Sequence, residues 1–302
     1  MSERAYHIPA LLAQTIDGLN IKPDGVYVDA TFGGGGHAKE ILHKLNDKGV
    51  LVAFDQDADA MSNVPDDKRV IFVRSNFRYL KNFLKYHNIT AIDGLLADLG
   101  VSSHHFDEAE RGFSFRFEGK PDMRMNRAAR LTAADVLNTY PEEKLADVFY
   151  LYGEMRQSRR LAKAVVAKRA DKPIEYTSEF VDVVKPFVER KKEKKELAQL
   201  FQALRMEVND EMNALRDLLE QSLHVTAKNG RIVALTYHSL EDRLVKNFFR
   251  SGNFKGELEK DFYGNVLSPI KALTCKAARA SEEEIARNPR ARSAKLRIGV
   301  VQ

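Results

Sequence analysis

Two absences bound the chain first. A single cysteine, Cys275, in 302 residues excludes an internal disulfide and any metal cluster built on cysteine. No apolar run approaches the roughly 20 residues that a bilayer-spanning helix needs, and Met1 to His7 lacks the apolar core of a secretion signal. Both point to a cytoplasmic protein with no membrane role. Two missing motifs narrow the chemistry. Without a G-x-S-x-G elbow, a Ser–His–Asp hydrolase is not expected. The G-x-G-x-x-G spacing that cradles a pyrophosphate is also missing, which counts against an NAD-type oxidoreductase. What is present is ordinary for a globular protein: 44% hydrophobic and 30% charged residues, with a net charge of +5 that mildly favours a polyanionic partner.

The chain is organised around Val26-Tyr-Val-Asp-Ala-Thr-Phe-Gly-Gly-Gly-Gly-His37. An apolar run ends in an acid, passes through four glycines and enters helix-forming sequence. Strand, glycine turn and helix form the nucleotide-binding unit of an α/β sheet. Three more apolar runs follow at βα spacing: Gly49 to Asp55, Arg69 to Arg74, and Ile92 to Gly100 with its acid at Asp98. The alternation predicts an α/β fold with a parallel, doubly wound sheet. Ligands in such sheets bind at the carboxyl ends of the strands, where Asp29, Asp55 and Asp98 all fall. Asp55 stands where a carboxylate can accept both ribose hydroxyls of a nucleoside. An acid at the loop entrance repels phosphate but suits an ammonium or sulfonium group. That pattern favours S-adenosylmethionine.

The alternation then fails for about 100 residues. An Arg- and aromatic-rich loop, Phe113 to Asn126, leads into helical patterns. Thr132-Ala-Ala-Asp135 has the form of a capping box. Residues 158–169 form a basic amphipathic helix, residues 178–190 a further helix, and residues 197–223 one long helix. A strand signal returns at residues 230–237, and residues 293–301 alternate like an edge or hairpin strand. The expected organisation is a sheet domain of residues 1–107 and 199–302, interrupted by a helical substrate-recognition domain of residues 108–198.

Basic residues cluster in three segments, 111–130, 156–169 and 287–297, and aromatics interleave in the first. Arginine with aromatic planes suits unpaired bases and phosphates. Arg111, Arg116, Arg124, Arg159, Arg160, Arg290 and Arg292 are the RNA-contact candidates. His104 and His105 lack a third ligand at a telling spacing, so no metal is expected. At the fourth and fifth strand ends, Asp98, Ser102 and His238 are candidate catalytic acceptors.

Many of these stretches together resemble one family. They include the glycine loop, Asp98-Leu-Gly-Val-Ser-Ser103, Ala109-Glu-Arg-Gly-Phe-Ser114, Asp122-Met-Arg-Met125, Phe201-Gln-Ala-Leu-Arg205, His238-Ser-Leu-Glu-Asp-Arg243 and Asn288 to Arg297. In order and over nearly the whole chain they are similar to the RsmH (MraW) family of bacterial methyltransferases. The resemblance implies a class I (Rossmann-like) S-adenosylmethionine-dependent methyltransferase with an inserted helical domain. It implies methylation of a cytidine N4 in 16S rRNA of the small ribosomal subunit; the sequence leaves monomer and homodimer both open. It also implies cofactor contacts at Gly34, Gly35, Gly36, His37, Asp55, Phe77, Asp98 and the position of His105. The chain departs from the family pattern at His104-His105, where Pro-Gln is usual, and at Lys195 to Gln199, where His-Pro-Ala-Thr-Arg is often found. Those departures motivate an alternative: an RNA-binding ribosome-assembly factor with a weakened methyltransferase site.

Overall fold

A computed structural model describes residues 9–100 and 108–302. The chain divides into two compact units, one of residues 1–100 with 213–302, the other of residues 101–212.

The first unit carries a seven-stranded sheet in the order β3-β2-β1-β4-β5-β7-β6. Its strands are β1 (Val26–Asp29), β2 (Val50–Asp55), β3 (Val70–Arg74), β4 (Ile92–Asp98), β5 (Thr226–Thr236), β6 (Ile270–Ala272) and β7 (Lys295–Val301). Strands β1 to β5 pair in parallel, while β7 is antiparallel to both β5 and β6. This is a doubly wound α/β sheet of Rossmann-like type. Helices α1 (Leu12–Leu19), α2 (Gly36–Lys44) and α3 (Leu80–Tyr86) connect or flank the early strands. The parallel strands are apolar on both faces, as a covered sheet requires: Leu51, Val52, Ala53 and Phe54 of β2 are each fully buried. The winding direction reverses between β1 and β4. Such a switch point leaves a crevice beyond the carboxyl ends of both strands.

Two strand readings change. The tail strand β7 forms, but it lies inside the sheet because β6 pairs along its outer side. The three residues of β6 are too few to show an alternation. Strand β5 begins at Thr226 rather than residue 230, through an irregular start where Asn229 takes a φ of 64° and the register against β4 shifts.

The second unit is helical: α4 (Ala133–Thr139), α5 (Glu142–Leu151), α6 (Ser158–Asp171), α7 (Thr177–Val184) and α8 (Glu193–Val208). Thr132 and Asp135 form the capping box read from the sequence. A core of Leu137, Leu145, Phe149, Leu161, Val165, Phe180, Leu200 and Leu204 closes these helices on one another. The unit extends to Met212, past the boundary read at residue 198, because α8 contributes its apolar face to this core. Helix α7 stops at Val184 and a 3-10 turn holding Pro186 follows, since proline cannot supply the N–H that a continued helix needs.

The long helix expected over residues 197–223 is two helices, α8 and α9 (Glu211–Val225). Asp210 takes a φ of 49° at the break. Asn209 supports it with its side-chain amide, which accepts from the Met125 N–H and donates to the Met123 and Arg205 carbonyls. Apolar spacing runs through the break unchanged, so periodicity alone does not reveal it.

Candidate functional site

Strand β1 delivers Asp29 to the crevice, and the chain leaves it through Ala30 to Gly35 into α2. Gly33 and Gly35 hold φ values of +52° and +74°, where a side chain would be strained. Gly34 has no such constraint. A Cβ built on it meets no atom within 4 Å. Its missing side chain therefore leaves open space in front of the loop rather than relieving a contact within the protein.

The loop is anchored from β2. Asp55 accepts the Gly33 N–H through Oδ2 at 2.8 Å and the Asp57 N–H through Oδ1 at 2.8 Å. A carboxylate offers about four lone-pair sites, so anchoring the loop is compatible with receiving ribose hydroxyls. Beside it, Asn76 at the end of β3 donates to Gln56 Oε1 and caps the turn that opens at Phe77. Phe77 is half-buried there, an aromatic face near the two strand ends that hold a nucleoside in this fold type.

Asp98 ends β4 and is tied from several sides. Its N–H donates to Thr31 Oγ1 at 2.7 Å, and Tyr237 donates its phenol to Asp98 Oδ1 at 2.8 Å. His37 Nδ1 lies 3.7 Å from Asp98 Oδ2. The neighbouring Gly100 gives the Tyr237 ring its place, since a Cβ there would sit 2.8 Å from that ring. Thr31 and Tyr237 are therefore site residues that were not singled out from the sequence. Thr31 stands inside the glycine-loop stretch and Tyr237 ends the strand signal of residues 230–237, but only the pairing of β1, β4 and β5 shows that they converge on Asp98.

The electrostatics are those of crowded acids. Asp29 is buried, and its pKa rises to about 7, chiefly through burial, with Asp98 and Asp55 adding to it and hydrogen bonds from Thr31 opposing. Burial pushes the His37 pKa down against the pull of Asp98, so its imidazole is neutral at pH 7. Burial and Asp98 together push the Tyr237 phenol well up, which keeps it a donor. A cation in this crevice relieves the mutual repulsion of the acids, while a phosphate aggravates it. S-adenosylmethionine meets both tests these residues set, since it carries an ammonium and a sulfonium and has no phosphate. The open space in front of Gly34 is where a ligand can approach the loop backbone.

Other candidates are placed differently. His238 is the N-cap of α10 (Ser239–Ser251): its Nδ1 accepts from the Glu241 N–H at 3.4 Å, and its Nε2 lies 2.8 Å from Glu241 Oε1. The imidazole is thus turned onto its own helix start. Arg111 is only 3% exposed and donates to the carbonyls of Arg124 and Met125. Arg124 pairs with Asp122 and donates to the Ala129 carbonyl. These two arginines hold the 111–130 loop together; for Arg111, which is buried, this corrects its reading as an RNA contact, while Arg124 stays partly exposed. Arg116, Arg159, Arg160, Arg290 and Arg292 are exposed. Ser102 and His105 lie outside the described residues, as do His7, Ser103 and His104.

Comparison with known proteins adds an independent finding. Residues 4–301 match the model of the MraW methylase family. The chain is 58% identical over 297 residues to a protein of Phocaeicola vulgatus named ribosomal RNA small subunit methyltransferase H, covering 98% of each chain. It is 59% identical over 297 residues to the protein of that name in Parabacteroides distasonis, covering 98% of this chain and 97% of that one. With the match running from end to end, this chain belongs to the MraW methylase family.

Proposed function

We propose that this protein transfers the methyl group of S-adenosylmethionine to N4 of a cytidine in the 16S rRNA of the small ribosomal subunit. One observation carries the reading. In a chain that matches a methylase family over its whole length, the glycine loop and three strand-end acids gather at the switch point of the sheet. No helix among the described residues is long and apolar enough to cross a membrane, in keeping with action on ribosomal RNA in the cytoplasm.

When bound, S-adenosylmethionine supplies an electrophilic methyl on its sulfonium. The chain has to hold the acceptor in line with it. The exocyclic amine of cytosine is a poor nucleophile, because its lone pair is conjugated into the ring, so alignment is a large part of the catalysis. The base must also leave its stack to reach the crevice. In this reading Asp55 takes the ribose hydroxyls, Phe77 packs against the adenine, and Gly34 to Gly36 with His37 line the amino-acid end.

Asp98 is the acceptor we favour for an N4 proton. Its carboxylate is fixed by Tyr237 and its backbone by Thr31, so it faces the incoming amine without reorganising. An acceptor on the N–H draws electron density onto nitrogen as the N–C bond forms. Tyr237 positions Asp98 and keeps its own proton. His238 supports the end of β5 through its helix cap.

The test is small-subunit RNA from a strain lacking this protein, digested to nucleosides and analysed by mass spectrometry. N4-methylcytidine is expected to fall and to return on complementation. An unchanged level, with no second enzyme supplying the mark, would overturn the reading.

A further inference from the structure

Helix α6 distributes its basic residues unevenly. Near its C-terminus Arg169 is built into the fold, donating to the carbonyls of Leu137 and Tyr140. At its start Arg159, Arg160 and Lys163 are exposed, and Arg156 precedes them, also exposed. No hydrogen-bond or ion-pair partner holds Arg156, Arg159 or Arg160 among the described residues. The first turn contains no acidic residue, and no side chain caps it.

This arrangement opposes what the isolated fold favours. Cations stabilise the last turn of a helix and destabilise the first. Arg159 and Lys163 are also a like-charge pair four residues apart, which costs further stability. The cost disappears when an anion sits among them. The three arginines line a cleft of about 670 Å³ with Tyr150, Gln157, Ser158, Ala146 and the carboxylate-bearing Asp147. Tyr150 is 60% exposed on its wall, an aromatic face of the kind on which an unpaired base stacks.

We propose that the Arg156–Arg159–Arg160 cleft is a phosphate-backbone site that grips single-stranded substrate RNA, with Tyr150 stacking a base beside it. Guanidinium groups suit this role because their planar forks match phosphate oxygens. The proposal rests on RNA being the substrate. It adds which strand chemistry is held, where, and by residues that take no part in the reaction. The site sets RNA affinity and register, and leaves cofactor binding untouched.

The test is the triple variant Arg156→Gln, Arg159→Gln, Arg160→Gln in the full chain. Binding of a fluorescein-labelled single-stranded RNA oligonucleotide of small-subunit sequence is read by anisotropy across a salt series. Three lost phosphate contacts should lower the slope of log affinity against log salt by about 2, with roughly tenfold or greater loss of affinity at low salt. Tyr150→Ala should weaken binding with no change in slope. Replacing the same arginines by lysine should keep most of the slope. Calorimetric affinity for S-adenosylmethionine should match wild type throughout, which also reports a folded chain. A triple variant with wild-type RNA affinity and slope would overturn the site. Wild-type protein that binds S-adenosylmethionine but no RNA would instead overturn the RNA-substrate reading beneath it.

Discussion

Asp29→Asn separates the cost of the buried acid from its use. In the folded protein the Asp29 pKa stands at about 7, against an ordinary value of 3.8. The folded state therefore holds a proton that the unfolded chain has already lost between those two pH values. For a group raised in this way, stability is greatest below the unfolded pKa and falls as pH rises through the folded one. At about 1.4 kcal/mol per unit, a shift of about 3 units costs the cofactor-free protein about 4 kcal/mol by pH 8. Asparagine keeps an oxygen for the Thr31 N–H, which Asp29 accepts at 3.0 Å, and it removes the charge. Urea denaturation of the cofactor-free protein should show little difference between variant and wild type at pH 4. The variant should be more stable by an amount that grows to about 4 kcal/mol at pH 8. Binding should move the other way. A cationic cofactor stabilises the carboxylate, so wild-type affinity for S-adenosylmethionine should rise as pH passes 7, with proton release. The variant should bind about tenfold more weakly at pH 8, the loss of about 1.4 kcal/mol, with a flat pH profile in calorimetry. A stability difference that did not change with pH would refute the assignment of a buried, uncompensated carboxylate.

Gly34→Val should leave the melting temperature near wild type, because its side chain enters open space within the protein, while calorimetry finds S-adenosylmethionine binding lost. A variant that binds normally would show that the space in front of the loop is not the cofactor's. Asp55→Ala should abolish cofactor binding, and it should also loosen the loop held through Gly33, seen as faster amide exchange at residues 33–36; near-wild-type affinity would sink the ribose assignment. Arg111→Leu should lower stability by about 2 to 3 kcal/mol, the cost of leaving buried carbonyls unpaired, and leave cofactor affinity unchanged. A variant that is fully stable and loses only RNA binding would return Arg111 to the RNA surface.

The sequence by itself determined the α/β class, the place of the glycine loop, and the three acids at strand ends. Each depends on local chemistry: period-2 and buried apolar runs, glycine's access to positive φ, and the rule that strand ends face the ligand. The capping box at Thr132 and Asp135 was legible for the same reason, because both partners lie within four residues. Only the tertiary structure decided what the charged residues do. Arg111 and Arg159 look alike in a basic segment, yet one is buried against backbone carbonyls and the other lines an open cleft. That difference lies in contacts with Arg124, Met125 and the neighbouring helix, which no local pattern encodes. The same holds for Asn209, whose partners Met123 and Met125 lie more than 80 positions away and break a helix whose apolar period never falters. Tyr237 and Asp98 meet across a separation of 139 positions. A hydrogen bond of that span comes into being only when β4 and β5 pair, so the acceptor's orientation is a property of the sheet and not of either motif.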